Sequence, residues 1–364
     1  MNKRHVYSGG NTCKGFYHFY DTMVNDDVER KIVLKGGPGV GKSSFMNAVG
    51  EHFAKYDLEY HWCSSDPHSL DGIVIGDNQI CLVDGTKPHI IDPKYPGAVD
   101  EIVNLGQFWD RKSLNENRRQ IVSLTNHISK IFKLAYLRLH ESSIACEEMK
   151  FYISEAVHWP SVAQNVLALS DDFMAAGKTN SIKARHLFAA AITPAGVMTK
   201  IDSIIDSDYI IFAVSGSPGS GVQHLFRYLL HQIQSNSIHA EIYHNPFDPD
   251  EIDLIILPES KTVLVDISDN VVDYAPLLPD KFKRRLDFNL FVQNEVFADY
   301  ENDYKNALVR YKKGLDAAIG LLAQAKALHD ELEAFYIPHM DFEAMTNFRT
   351  SLITELKQVL TGKI

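Results

Sequence analysis

The chain has 364 residues, of which 45% are hydrophobic and 23% are charged. This length and composition predict a folded protein of two or three domains and exclude intrinsic disorder as the default. The formal net charge of −11 repels phosphate backbones, so general nucleic-acid binding is not expected.

Cysteine spacing and hydropathy narrow the class of protein further. The four cysteines are far apart and lack the spacing of zinc ligands, so we expect reduced thiols. No stretch approaches the roughly 18 apolar residues that span a bilayer, and the first residues form no signal-peptide core. We therefore expect a cytoplasmic protein without a membrane partner.

The first strong pattern along the chain is a strand, a glycine-rich loop and a helix. Lys31 to Lys35 has the apolar character of a short strand, and Phe45, Met46 and Val49 then recur at helical spacing. Further strands are expected at Tyr60 to Cys63, Ile73 to Ile75 and Ile80 to Val83. From about Ala98 to Asp172 the pattern becomes helical.

The loop of this unit is Gly36-Gly37-Pro38-Gly39-Val40-Gly41-Lys42-Ser43, which fits G-x-x-x-x-G-K-[ST] at every fixed position. Its glycines allow successive N–H groups to face phosphate oxygens at the positive end of a helix. We expect the nucleotide to bind to the loop and the adjacent Ser44. Lys42 should reach the β and γ phosphates, and the Ser43 hydroxyl should hold Mg²⁺.

Two carboxylates are candidates for the rest of the site. Asp84 follows the apolar strand Ile80 to Val83, where a carboxylate can complete the oxygen ligands of Mg²⁺. Asp66 lies just beyond the strand Tyr60 to Cys63, where it could orient an attacking water or an acceptor hydroxyl. The alternative is that Asp66 only opens an Asp-Pro turn, since Asp248-Pro249 recurs in the copy that lacks the lysine.

Much of this pattern occurs twice. The loop Gly36 to Gly41 returns as Gly216-Ser217-Pro218-Gly219-Ser220-Gly221, at a shift of 180 (216 minus 36). Three other matches keep the same order: Arg4-His5-Val6-Tyr7 with Arg185-His186-Leu187-Phe188, Thr12 and Gly15 with Thr193 and Gly196, and Glu59 to Asp84 with Glu241 to Asp266. We interpret this as a tandem duplication, with domains at 1–180 and 181–364. The alternative is that unrelated α/β units share Gly and Asp at turns.

The second copy lacks the two residues that matter most in the first loop. Val222 stands in the place of Lys42, and Gln223 in the place of Ser43. The loop therefore lacks a point charge for phosphate and a hydroxyl for Mg²⁺. We expect an inactive twin, which could bind phosphate weakly, regulate the first copy or only cover apolar surface.

Each copy also carries a long helical arm with an apolar stripe at spacings of three and four. The stripes are Ile121, Leu124, Ile128, Ile131, Ala135 and Leu139 in the first copy, and Leu308, Tyr311, Leu315, Ala318, Leu322, Ala325 and Leu332 in the second. We expect the stripes to pack on each other or on the sheets. The open alternative is an outward surface for a protein partner.

By its G-x-x-x-x-G-K-S loop the chain resembles the P-loop NTPase superfamily. The whole chain resembles an uncharacterised bacterial family of tandem-duplicated P-loop ATPases. This resemblance implies an α/β fold of two tandem P-loop NTPase units, each an αβα sandwich with a helical extension, with ATP and Mg²⁺ as ligands. The start of each copy is also similar to RecA and KaiC-type ATPase domains, but Ser64-Ser65-Asp66 stands where those carry a catalytic glutamate.

The favoured function is Mg²⁺-dependent ATP hydrolysis in the first domain, with Lys42, Asp84 and Asp66 as its catalytic residues. The second domain is then inactive or regulatory. Two alternatives stay open: a small-molecule or nucleotide kinase, and a binding module whose partner surface is gated by nucleotide.

Overall fold

The computed structural model describes residues 3–87, 90–178, 184–279 and 281–362. The protein is mixed α/β and contains two six-stranded mixed sheets, one in each half of the chain. The expected domain boundary, between residues 180 and 181, lies outside the described residues. Within the described residues, none of the helices is both long enough and apolar enough to cross a membrane.

The strands of the first half are β1 (Lys3–Val6), β2 (Gly9–Thr12), β3 (Gly15–His18), β4 (Arg30–Lys35), β5 (Leu58–Trp62), β6 (Leu70–Ile75), β7 (Ile80–Asp84) and β8 (Asp100–Asn104). Those of the second half are β9 (Arg185–Phe188), β10 (Ala190–Thr193), β11 (Gly196–Thr199), β12 (Ile210–Ser215), β13 (Glu241–His244), β14 (Ile252–Leu257), β15 (Thr262–Asp266) and β16 (Phe282–Asp287). The helices are α1 (Lys42–His52), α2 (Arg111–Glu116), α3 (Arg118–Glu155), α4 (Trp159–Met174), α5 (Val222–Ser235), α6 (Asn294–Phe297), α7 (Glu301–Tyr336) and α8 (Phe342–Leu360).

The two sheets share one strand order. The first is β1-β5-β6-β7-β4-β8, and the second is β9-β13-β14-β15-β12-β16. In each sheet the strand that precedes the glycine loop, β4 or β12, pairs in parallel with both of its neighbours. The loop therefore leaves the sheet at the carboxyl edge of these parallel strands, where α/β sheets usually bind ligands.

The four strands expected between Lys31 and Val83 are confirmed as β4 to β7. The helical pattern expected from Ala98 is wrong over its first residues, because β8 occupies Asp100–Asn104. The side chain of Val103 is buried, whereas that of Ile102 is 50% exposed. This alternation is typical of an edge strand, and the surrounding charged residues mask it in the sequence.

The helices that cover each sheet come from both halves. On the first sheet, α8 of the second half packs beside α1. Met345, Leu352 and Leu356 of α8 join the buried core on the face that α1 covers. The second sheet receives α4 in the same way, through Val162, Leu169 and other apolar residues that pack beside α5. Each half therefore gives its last helix to the sheet of the other half.

The long helices α3 and α7 lie side by side and carry these exchanged helices. Their apolar stripes pack against each other, with small residues at the contact. Ser142 of α3 donates a hydrogen bond to the Tyr311 carbonyl of α7 at 3.1 Å. A methyl group on Gly314 would lie 2.2 Å from the Ser142 hydroxyl, so this close approach of the two helices requires glycine.

The other face of each sheet is covered differently. In the first half, Tyr20, Met23 and Val28 pack on it from the segment that precedes β4. In the second half, Ile201, Tyr274 and other loop residues do so. Within the described residues these covers are loops and short 3-10 turns, where a three-layer sandwich would have a second layer of helices.

The two halves also meet at a cluster of four charges, which we call the Arg–Glu cluster: Arg4, Glu59, Arg185 and Glu241. The glutamates are buried and the arginines are partly buried. Arg4 donates two hydrogen bonds to Glu241, at 3.0 and 2.6 Å. Arg185 donates to Glu59 at 2.6 Å and to Glu241 at 3.2 Å. Burial opposes ionisation of Glu59, yet Arg185, His61 and Arg4 hold the pKa of its carboxyl well below the usual range.

We predict strong coupling between Arg185 and Glu59. Glu59→Gln alone leaves the buried guanidinium of Arg185 without its main counter-charge, so it should lower the free energy of unfolding by about 3 to 5 kcal/mol. The double variant with Arg185→Met should lose less than the sum of the two single variants. Urea unfolding at pH 7 of all four proteins measures this, and additive losses would contradict the coupling.

Candidate functional site

The first glycine loop lies between β4 and α1, as the sequence predicts. Gly39 and Gly41 have φ values of 67° and 83°, which only glycine adopts readily. Gly41 directly precedes the first residue of α1, and Val40 is fully buried beneath the loop. The loop therefore curls around the positive end of an 11-residue helix, which favours anions.

Lys42 and Asp84 come together at this loop. The ammonium of Lys42 donates to the Gly37 carbonyl at 3.1 Å and lies 3.6 Å from the Asp84 carboxylate. Asp84 ends β7 and also accepts hydrogen bonds from the amide and hydroxyl of Thr86. The two side chains are 13% and 12% exposed, so their attraction is only partly screened by water.

The predicted metal ligands lie at the same edge of the sheet. The Ser43 hydroxyl is in the first turn of α1 and accepts a hydrogen bond from the Leu70 amide at 3.0 Å. Its own hydrogen is a donor, and its oxygen has a second lone pair for a cation. A hydroxyl and a carboxylate are hard oxygen ligands of the kind Mg²⁺ prefers, so Ser43 and Asp84 fit this ion. Ser44 is exposed on the next position of the helix.

Asp66 contacts residues of its own turn and of α7. Its carboxylate accepts from the His68 amide and from the Ser69 hydroxyl, which closes a turn after β5. The ammonium of Lys326, in α7 of the second half, lies 3.4 Å from the same carboxylate. The structure thus gives Asp66 a turn-forming role, and its catalytic role stays a prediction.

A second residue of α7 reaches the first loop itself. The carboxylate of Glu333 accepts a hydrogen bond from the Gly39 amide at 3.1 Å, across 294 residues of sequence. Neither Lys326 nor Glu333 was found by sequence reasoning. No local motif marks them, because both lie within an ordinary charged helix face.

The second loop has a curled backbone like that of the first loop, but different side chains follow it. Gly219 and Gly221 have φ values of 92° and 114°. Val222 is buried in the place of the lysine. Gln223 donates to the Ile252 carbonyl and accepts from its amide, both at 3.0 Å, so both ends of its side-chain amide are engaged. The expected loss of a phosphate cation and of a magnesium ligand is therefore consistent with these contacts.

A cavity of about 850 Å³ lies beside this second loop. Both halves line it: Cys13 and Lys14 come from the β2–β3 turn, and Lys150 comes from α3. Asp253 and Asp266 also line it. Asp253 precedes Leu254 and Asp266 follows Val265, and because Leu254 and Val265 pair in antiparallel strands, the two aspartates lie opposite each other. The first half has Asp71 and Asp84 at the corresponding positions.

Asp253 and Asp266 have raised pKa values. Burial raises the pKa of Asp266 to about 7. Burial together with the nearby Asp266 raises the pKa of Asp253 to about 8. At the first loop, Lys42 provides a cation close to Asp84, and Val222 provides none to Asp266. Because Val222 is apolar, the second loop has no cation at this position to offset the charge of the Asp266 carboxylate.

No protein-family model, curated protein or solved structure matches the chain.

We predict that Asp266→Asn makes the stability of the protein less sensitive to pH. The Asp266 carboxyl has a pKa of about 7 in the folded protein, above its ordinary value of 3.8. Asp266 therefore contributes stability that is lost as the pH rises from about 4 to about 7, because its carboxyl ionises at a lower pH in the unfolded chain than in the folded protein. Thermal midpoints at pH 5 and pH 8 measure this.

The midpoint of Asp266→Asn should fall less between these two pH values than the midpoint of the wild type. Asp269→Asn changes an exposed carboxylate of the same loop and serves as the matched control. It should keep the pH dependence of the wild type. Parallel curves for the wild type and Asp266→Asn would contradict the prediction.

Proposed function

We propose that the first half is a P-loop NTPase domain that binds ATP with Mg²⁺ and hydrolyses it. One observation carries the proposal: Lys42, at the first turn of α1 behind a loop with left-handed glycines, lies 3.6 Å from Asp84 at the end of the neighbouring strand β7. Anion-binding amides, a mobile cation and a carboxylate for Mg²⁺ are the parts that phosphoryl transfer requires.

The residues have distinct roles in this proposal. The backbone N–H groups between Gly36 and Ser44, which Pro38 lacks, hold the phosphates, and Lys42 exchanges the Gly37 carbonyl and Asp84 for the β and γ phosphate oxygens. Ser43 and Asp84 hold Mg²⁺, which offsets the charge of the phosphates. Asp66 is the candidate for orienting the attacking water, and Lys326 is the cation beside it.

We further propose that both halves descend from one P-loop unit and that the second no longer hydrolyses nucleotide. The shared strand order and the corresponding glycine loops support the common origin. The engaged amide of Gln223 and the buried Val222 support the loss of activity.

A nucleotide-gated binding module is the second candidate function. The contact between Glu333 of α7 and Gly39 favours it, because a ligand on the first loop would act directly on a helix of the other half. In this function ATP changes the position of α7 for a protein partner, and turnover is incidental.

We predict that Lys42→Ala lowers the affinity for Mg²⁺–ATP by about tenfold to a hundredfold, since hydrogen bonds to charged groups contribute about 1.5 to 3 kcal/mol. Phosphate release should fall to the background rate. Lys55→Ala removes an exposed lysine that follows α1 and serves as the matched control. Titration calorimetry and phosphate release measure the two effects.

The same assay separates the remaining functions. Lys42-dependent phosphate release by the chain alone supports the ATPase. ADP formation only in the presence of added nucleosides and metabolites would indicate a kinase. Lys42-dependent binding without turnover would indicate the binding module. Failure of both the wild type and Glu333→Ala, which removes the carboxylate bound to the Gly39 amide, to bind ATP would contradict the proposed function.

A further inference from the structure

The first glycine loop is covered along its length by the end of α7 and the start of α8. A methyl group on Gly39 would lie 3.1 Å from the Glu333 carbonyl oxygen and 3.0 Å from Ile337. One on Gly37 would lie 3.2 Å from the Tyr336 ring. A methyl group on Gly41 would lie 3.6 Å from the Phe342 ring. The loop and this helix end are therefore in van der Waals contact.

Within this contact, Glu333 makes the interaction that a phosphate would make. Its carboxylate oxygen accepts the Gly39 N–H at 3.1 Å, at the positive end of α1. Carboxylates and phosphates are both oxyanions, and a loop of this kind offers its N–H groups to either. One amide hydrogen cannot serve both acceptors at full strength. A second negative group at the same place also repels the phosphate chain.

Lys326, a cation on this face of α7, is already paired. Its ammonium forms ion pairs with Asp66 of the first half and with Asp330 of α7. The ring of His329 lies 3.8 Å from the Glu333 carboxylate. Glu333 is thus the acidic side chain of this group that reaches a loop amide, and its side chain is 31% exposed. Partial exposure leaves it free to swing towards solvent when another anion takes its place.

We propose that Glu333 is an internal anion that closes the first glycine loop, and that nucleotide binding displaces it together with the end of α7. The inference rests on the proposed function, because it names the regulation of the same site. Since α7 belongs to the second half, nucleotide affinity then depends on how firmly that helix is held. By linkage, bound nucleotide loosens the helix end to the same extent.

A helix from the other half also covers the second glycine loop. A methyl group on Gly219 would lie 2.3 Å from the Lys150 carbonyl oxygen, so the end of α3 from the first half presses on the second loop. There the side chain is a lysine, whose ammonium lies 2.8 Å from Glu251. The helix cover is thus present on both loops, and the anion is present only where the loop retains its lysine.

The test compares Glu333→Gln and Glu333→Ala with the wild type in the full chain. Removing the competing carboxylate should raise the affinity for Mg²⁺–ATP about tenfold, the factor that corresponds to one charge-assisted hydrogen bond. Glu331→Gln, an exposed acid two residues away on α7, is the matched control and should bind like the wild type. Lys42→Ala combined with Glu333→Ala should abolish the gain.

Each outcome decides between the two proposals. Tighter Lys42-dependent binding by both Glu333 variants supports closure by Glu333. Wild-type binding that depends on Lys42 but does not improve in the Glu333 variants overturns the closure and leaves the proposed function intact. Unchanged affinity with slower hydrolysis would place Glu333 in the reaction and also overturn the closure. If neither the wild type nor Glu333→Ala binds ATP, the proposed function itself is wrong.

Discussion

The reciprocal exchange of helices is the constraint on which the rest of the structure depends. Each sheet has an apolar face that its own loop helix covers only in part, and the last helix of the other half completes the cover. Leu356 of α8 and Leu169 of α4 are fully buried in these borrowed positions. Separating the halves would return both faces to water, at roughly 25 cal/mol for each Å² exposed. The two sheets are therefore parts of one cooperative structure, and the position of α7 over the first loop follows from it.

Polar contacts then fix how the halves meet. Hydrophobic burial is not directional, whereas the Arg–Glu cluster and the main-chain pair between Tyr7 and Phe188 each define one register. The amides of Tyr7 and Phe188 each donate to the carbonyl of the other, at 3.0 and 2.9 Å. Because the repeated arginines and glutamates pair across the halves, the cluster places β1 and β9 in equivalent positions. Because buried ion pairs often contribute little net stability, we infer that the cluster mainly specifies how the halves meet.

Sequence reasoning succeeded where the signal is local. The strand, glycine loop and helix around Lys42 need only neighbouring residues, and the position of Asp84 at the end of β7 could be predicted because apolar residues precede it. It failed for β8, whose alternation is masked by charges, and for Glu333, which approaches Gly39 from 294 residues away. The repeated motifs have structural reasons of their own. Thr12 and Thr193 each close a hairpin by donating to the carbonyl of a left-handed glycine. No sequence pattern reports which sheet a terminal helix will cover, because either sheet offers it a similar apolar face.

Hydrogen–deuterium exchange with and without Mg²⁺–ATP tests the central claim most directly, because it reports on the loop and on the covering helix in one experiment. The account predicts slower exchange in the peptide containing residues 36–43 and faster exchange in the peptide containing residues 330–340. The peptide with residues 216–223 should exchange at an unchanged rate when the nucleotide binds only at the first loop. Protection at the second loop, or no change at the first loop at a saturating nucleotide concentration, would contradict the account.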